Sequence, residues 1–227
     1  MRQLFAKVLN RRIRAFSLIE ISIVVLIISI LAVVIMQSSR LIKEMKITSA
    51  RNQTQTSPIP SIRSLVAWFE TTSEKSFDES ESVSASAITN WYDTNPQSVA
   101  ATPATQSITA NKPTYMIDVG TGLPVVSFDG SGGNATADYL ALPDATIPAN
   151  NSSYTVFLAT KLTGDSSIIG SGPESGADAY NSFGNVGTAM VNSWWSGNDT
   201  TTVSGAITLN TFQIVSFVYD NTIGKST

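Results

Sequence analysis

The 227-residue sequence contains no cysteine and no histidine. Without histidine it cannot form a Ser-His-Asp or Cys-His catalytic group or an imidazole-ligated zinc site, and without cysteine it cannot form a disulfide. Most familiar hydrolase mechanisms are therefore excluded. The missing cysteines do not indicate a compartment, because cytosolic proteins and disulfide-free secreted proteins look alike in this respect.

Charged residues are few, and the two signs are separated along the chain. Residues 1–15 carry five basic side chains and no acidic one. Beyond residue 60, five basic side chains stand against fifteen acidic ones, a net charge of -10. Since an acidic region of this kind is soluble and repels nucleic acid, we expect no nucleic-acid partner.

Glycine and proline are absent between residues 16 and 57. Residues 16–36 read FSLIEISIVVLIISILAVVIM, with Glu20 as the one charged residue, and as a helix they would span about 31 Å, enough to cross a bilayer core. The apolar run is longer than that of a secretory signal and no small-residue cleavage site follows it. The sequence predicts a membrane helix over 16–57, stopped by Pro58 and Pro60. Five basic residues before the run against three after it favour a cytoplasmic N-terminus.

Glu20 is the informative residue of this helix. An ionised carboxylate in hydrocarbon costs about 2.5–3.5 kcal/mol, so we expect a compensating partner. The alternative is a plain signal anchor in which Glu20 lies near the membrane interface and reaches the headgroups.

The leader RRIRA followed by FSLIEISIVVLIISILAVVI resembles the N-terminal signal of type IV prepilins and pseudopilins. The resemblance implies that a prepilin peptidase cleaves between Ala15 and Phe16 on the cytoplasmic side and that the new N-terminus at Phe16 is methylated. It also implies that Glu20 pairs with the terminal amine of a neighbouring subunit. Two residues depart from the family pattern: Ala15 stands where glycine is usual, and Ser17 where threonine is usual.

After the prolines the composition changes to Ser, Thr, Asn, Asp, Gly and Ala with short β-branched and aromatic runs, which is typical of an all-β region. We predict residues 1–15 as a basic leader, 16–57 as the membrane and assembly helix, 58–63 as a linker and 64–227 as a β-rich head. The fold class is α+β. The predicted strands are 64–69, 89–92, 123–128, 139–142, 154–161, 167–170, 190–195 and 213–219, with 154–161 and 213–219 as central strands.

The segments LVAWFE, ITNWYD, FDGSGGNATADYLALP and SSYTVFLATKL resemble the concanavalin A-like (laminin G-like) family. The resemblance implies a jelly-roll β-sandwich. Such domains usually continue with a further strand after IVSFVYD, so whether the head is complete at Thr227 stays open. The matching residues belong to the framework and say little about a ligand.

Two groups of head residues are candidate sites. The aromatic group could stack on a sugar, although core packing is the other reading; it comprises Trp91, Tyr92, Trp194 and Trp195. Asp129 and Asp138, with nearby carbonyls, could hold calcium, although a hairpin turn is the favoured interpretation and no other cofactor is expected. The acidic residues Asp78, Glu79 and Glu81 are read as a solvated loop.

The sequence therefore predicts a non-enzymatic subunit of a type IV pilus or type II secretion pseudopilus. Its expected partners are the prepilin peptidase, other pilin or pseudopilin subunits, the membrane, and a glycan or surface ligand of the head. The expected location is the bacterial inner membrane as a single-pass protein with the head extracytoplasmic, and then the pilus or pseudopilus. The alternative is a membrane-anchored lectin-like adhesin; a glycan hydrolase or lyase would need paired carboxylates across a cleft.

Overall fold

The computed structural model describes the greater part of the chain in eight segments. They are residues 17–98, 102–131, 136–143, 146–147, 152–171, 181–194, 199–220 and 225–226. The chain divides into two compact units, of which the first contains the N-terminal part through Ser57 together with Asp118–Leu123. The second contains Pro58–Ile117 and Pro124–Thr227.

Helix α1 runs over Leu18–Gln55 and has 38 residues, a length of about 57 Å. It begins after Ser17, whose backbone is extended, and it ends shortly before Pro58, which starts the 3-10 turn Ile59–Ser61. No proline removes a hydrogen bond inside it, and its residues are mostly good helix formers or β-branched aliphatics. The prediction of a long apolar helix at the N-terminus is confirmed.

The second unit is built from short strands. They are β1 (Ser86–Ala87), β2 (Asn90–Trp91), β3 (Ala104–Thr105), β4 (Thr114–Ile117), β5 (Pro124–Ser127), β6 (Tyr154–Thr160), β7 (Ser166–Ser171), β8 (Asn181–Val186), β9 (Ala189–Trp194), β10 (Asp199–Val203), β11 (Gln213–Asp220) and β12 (Lys225–Ser226). A second 3-10 turn covers Thr109–Asn111. The described strands form four sheets, ordered β1-β4-β5, β10-β9-β8-β7, β12-β11-β6 and β2-β3.

Every strand pair in these sheets is antiparallel. The α+β class is therefore confirmed, whereas the four separate sheets do not by themselves make a jelly-roll sandwich, which stays a prediction. Strands β7 and β8 lose register between Ser167 and Ile169, where the ladder is irregular.

One core lies beside the sheet β1-β4-β5. Phe77, Ile88 and Tyr115 are buried together, and Trp91, Ile117 and Val126 pack against them. The rings of Phe77 and Tyr115 meet edge to face, with centroids 5.4 Å apart. Full burial of a large apolar side chain contributes about 1.5–3 kcal/mol, so this cluster stabilises the surrounding part of the head.

A second aromatic contact joins the sheets β10-β9-β8-β7 and β12-β11-β6. Phe183 of β8 and Phe217 of β11 are both buried, and their ring centroids are 4.1 Å apart. Tyr154 of β6 meets the edge of Phe183 at 6.4 Å. These two sheets therefore contact each other through aromatic side chains.

Two predicted strands are wrong. Residues 64–69 are irregular, and several of their backbone partners are side chains: the amide of Asn95 donates to the carbonyls of Leu65 and Val66, and Asp93 accepts the Trp68 N–H. The Trp68 carbonyl accepts the backbone N–H of Thr94 at 2.9 Å, but this single bond does not make a strand ladder. Residues 139–142 form only a single bridge, between Ala141 and Thr105. The prediction that 154–161 is central is also wrong for the described part of the chain, in which β6 is the outer strand of its sheet.

Candidate functional site

The first candidate site is the apolar part of α1. Its aliphatic side chains from Leu18 to Met36 are each more than half exposed. The described residues contain one helix long and apolar enough to cross a membrane, and it is this one. Exposing this apolar surface to water costs about 25 cal/mol of free energy per Å², so the helix needs lipid or other helices around it.

The polar side chains of this segment are satisfied within the helix itself. The hydroxyl of Ser22 donates to the Ile19 carbonyl at 2.9 Å, and that of Ser29 donates to the Val25 carbonyl at 2.8 Å. Hydroxyls bound in this way need no water, and the apolar segment is therefore compatible with a hydrocarbon environment.

Glu20 lies in the first turn of α1. Its Oε2 accepts a hydrogen bond of 2.8 Å from the backbone N–H of Ser17, the residue before the helix, and this bond fixes the carboxylate at the positive end of the helix dipole. A carboxylate has about four acceptor positions, so Glu20 can receive a cation in addition to this bond. Ala15 and Phe16, the predicted cleavage and methylation residues, lie outside the described residues.

Trp91 contributes to the core of the head. Its ring stacks on Phe77 with centroids 5.8 Å apart and meets Phe69 edge to face at 5.6 Å. Its indole N–H donates to the Glu70 carbonyl at 2.9 Å. These contacts use both the ring surface and the one polar atom of the side chain.

Tyr92 is partly exposed beside the acidic loop. Its hydroxyl donates to Asp78 Oδ1 at 3.1 Å, and its backbone N–H donates to the Ser76 carbonyl. Desolvation raises the pKa of Tyr92 above its usual value, and the hydrogen bond to Asp78 and the negative charge of Asp78 raise it further. The protonated hydroxyl therefore stays in place as a donor at neutral pH.

The remaining members of the aromatic group are Trp194 and Trp195. Trp194 is the last residue of β9, where its Cα pairs with those of Asn181 and Asp199. Trp195 lies outside the described residues. A glycan contact by these four residues stays a prediction.

Asp129 and Asp138 are hydrogen-bonded to each other. The Asp129 N–H donates to Asp138 Oδ2 at 2.8 Å, and the Asp138 N–H donates to the Asp129 carbonyl at 2.8 Å. Hydrogen bonds from the backbone and side chain of Ser131 lower the pKa of Asp129. Both carboxylates thus serve the turn, and among the described residues no three acidic side chains converge to hold a metal.

In the loop Asp78–Glu81 the side chains of Asp78 and Glu79 are exposed, whereas Glu81 is half-buried and binds backbone. Glu81 Oε2 accepts the N–H of Thr89 at 2.9 Å, and the hydroxyl of Thr89 accepts a bond of 2.7 Å from Lys112 Nζ. Glu81 therefore holds the entry to β2, whereas Asp78 accepts the Tyr92 hydroxyl and Glu79 is exposed.

Sequence reasoning missed the structural role of Glu70. Its carboxylate accepts hydrogen bonds from the Thr72 N–H and hydroxyl at 2.7 Å each, from the Ser73 N–H, and from the hydroxyl of the fully buried Ser76. The spacing of hydroxyl residues just after a glutamate, ETTSEKS, is a turn pattern that could have indicated this.

No family model matches the chain, and no curated protein and no solved structure matches it either.

Proposed function

We propose that the chain is a structural subunit of a type IV pilus or type II secretion pseudopilus, inserted in the bacterial inner membrane through α1, with a concanavalin A-like head outside. The observation that carries this proposal is the apolar part of α1, which is exposed along its whole length. A lipid bilayer and a bundle of like helices are the two surroundings that cover such a surface, and a filament subunit uses both in turn.

The subunit first resides in the membrane. The basic leader keeps the N-terminus in the cytoplasm, and the acidic head is translocated. Removal of the leader between Ala15 and Phe16 creates a new amine close to Glu20 of a neighbouring subunit. The head plays no catalytic part.

The pairing of Glu20 with that amine selects the register of assembly. Opposite charges about 4 Å apart attract by about 4 kcal/mol at an effective dielectric constant of 20, which offsets the cost of burying the carboxylate. Leaving either charge buried without its partner costs about 3–5 kcal/mol. A helix displaced along its neighbour would have this unpaired charge, so docking in register is favoured.

Processing is the first test of this proposal. The full chain is expressed with and without a prepilin peptidase, and the N-terminus is determined by mass spectrometry for the wild type and for Ala15→Gly. We expect a methylated Phe16 start in both, with faster conversion of Ala15→Gly, because glycine removes the methyl group next to the cut. A leader that stays intact in both proteins would leave a membrane-tethered binding domain as the better account.

Assembly is tested at Glu20 with Glu44 as the matched control, since these are the two acidic residues of α1. Glu20→Gln should be processed and inserted like the wild type but incorporated into filaments at least tenfold less, because the charge pair is lost. Glu44→Gln, beyond the apolar segment, should assemble normally. Equal incorporation of both variants, measured by immunoblotting of sheared filaments, would contradict the assigned role.

A further inference from the structure

Strand β6 is the outer strand of the sheet β12-β11-β6 in the described part of the chain. Natural sheets usually protect such an edge with proline, with charged residues, with a bulge or by making the strand short. The seven residues of β6, YTVFLAT, contain no proline, no glycine and no charge, and β6 pairs with β11 over its whole length without a shift of register. Nothing in the strand itself prevents a further strand from pairing with it.

The outward face next to this edge is apolar. Phe157 of β6 is 71% exposed, and Ile214 of β11 is 79% exposed. Phe157 lies directly across from Ser216, between Ile214 and Val218 on the same face of β11. The opposite face of the sheet is the one that packs on Phe183, so the fold of the described residues leaves this outer patch uncovered.

We propose that two copies of the protein associate through β6, which pairs antiparallel with β6 of the second copy and joins the two sheets into one of six strands. The outward N–H and C=O groups of an edge strand lie along a line and need hydrogen-bond partners. An extended backbone provides partners with this spacing. A two-fold axis supplies such a backbone from the protein itself, and antiparallel pairing is the relation that a two-fold axis imposes on a single strand.

The length of β6 determines the register. Phe157 is the middle residue of Tyr154–Thr160, so full overlap of the two strands places Phe157 opposite itself and Thr155 opposite Ala159. All of these side chains lie on the exposed face. Two aromatic side chains directly opposite each other across an antiparallel pair contribute about 0.2–1 kcal/mol beyond their burial, and the two apolar patches become continuous.

The absence of native cysteine allows a direct test by single-cysteine cross-linking of the full chain in detergent micelles. Opposite residues in an antiparallel pair have Cα atoms about 4.5–5.5 Å apart, within the range of a disulfide. Phe157→Cys should therefore form a disulfide-linked dimer under mild oxidation. Thr155→Cys mixed with Ala159→Cys should form the mixed dimer several times faster than either variant alone.

Ile214→Cys is the matched control, because it lies on the same face and is even more exposed. Two copies of Ile214 would be separated by at least three strand spacings, about 14 Å, too far for a disulfide. Cross-linking at Ile214 as fast as at Phe157 would show collision within micelles and overturn the proposal. The proposal would also be overturned if Phe157→Cys stayed monomeric, or if that variant cross-linked only to a different polypeptide.

A charge substitution separates pairing from helix association. Phe157 is exposed, so Phe157→Lys should leave the fold intact while it places two like charges opposite each other in the dimer. We expect the rate of the mixed Thr155–Ala159 cross-link to fall at least fivefold. Ile214→Lys, the control, should change that rate less than twofold. The fall in cross-linking caused by Phe157→Lys should be the same when the chain also carries Glu20→Gln. Equal loss in both lysine variants would contradict the interface. The inference does not depend on filament assembly, and an intact leader would leave it unaffected.

Discussion

Individual polar side chains take the place of backbone partners in the irregular part of the head. Asn95 is buried, and it donates through its amide to two carbonyls 29 and 30 residues earlier while its Oδ1 accepts the Gln97 N–H. Asp93 accepts the N–H groups of Trp68 and Asn95. Backbone groups of residues 64–69 that have no strand neighbour are thereby hydrogen-bonded.

The pKa of Tyr92 can be predicted to respond to a single neighbouring residue. Its pKa is raised by desolvation and by Asp78, so the folded protein holds the phenolic proton more tightly than the unfolded chain does. This contribution to stability is present below the unfolded pKa of about 10 and is lost as the pH rises through the folded pKa. We expect Asp78→Asn to move the pKa of Tyr92 back toward its usual value, without reaching it because the desolvation stays.

The measurement is the titration of the Tyr92 ring by NMR, with Tyr92→Phe to identify its signals. Glu79→Gln is the control, since it removes a neighbouring acid that makes no hydrogen bond to Tyr92. A pKa that is the same in the wild type and Asp78→Asn, or that drops equally in Glu79→Gln, would contradict the assigned cause.

At the scale of elements, the packing of β7 on β8 depends on one glycine. A Cβ placed on Gly184 of β8 would lie 2.2 Å from the carbonyl oxygen of Ser166 in β7, closer than any real contact. The obstructing atom belongs to the backbone, so it cannot rotate away as the end of a flexible side chain could. The irregularity of the β7–β8 ladder lies beside this close approach.

We therefore expect Gly184→Ala to lower the free energy of unfolding by about 1–3 kcal/mol, because β7 must move to admit the methyl group. Gly164→Ala is the control, since its Cβ would meet nothing within 4 Å. Urea unfolding of both variants, followed by tryptophan fluorescence, measures the difference. Equal stability of the two variants would show that the strands are not as close as described.

At the scale of the whole molecule, the charge distribution predicts orientation in the membrane. The basic residues before the apolar segment favour a cytoplasmic N-terminus, and the region beyond residue 60 carries a net charge of -10. We expect a cysteine at the exposed Ser131 to react with a membrane-impermeant maleimide in cells whose outer membrane is permeabilised. Gln3→Cys in the leader should react only after lysis.

The labelling is done in cells without the peptidase, so that the leader and its cysteine are kept. The chain without introduced cysteine is the blank, because it has no thiol of its own. Labelling of Gln3→Cys before lysis, with Ser131→Cys protected, would reverse the proposed orientation and remove the route to an extracellular filament.

The sequence alone determined the features that depend on local composition. The absence of glycine and proline between residues 16 and 57, together with the apolar run, predicts the helix observed at Leu18–Gln55. The strands at Tyr154–Thr160 and Gln213–Asp220 were predicted to within one residue at each end, because runs of β-branched and aromatic residues indicate extended backbone. Glu20 also stands out without a structure, since a lone charge in an apolar run needs a partner.

Only the tertiary structure decided which neighbours each segment has. The strand β8, NSFGNV, has little β-branched character and was missed; it is a strand because β7 and β9 pair with it on both sides. Composition favours a core position for Trp91 over a sugar platform, but only the fold places Phe77 and the Glu70 carbonyl around it. The order of the strands, and with it the outer position of β6, depends on hydrogen bonds between residues distant in sequence. Local composition does not determine this pairing.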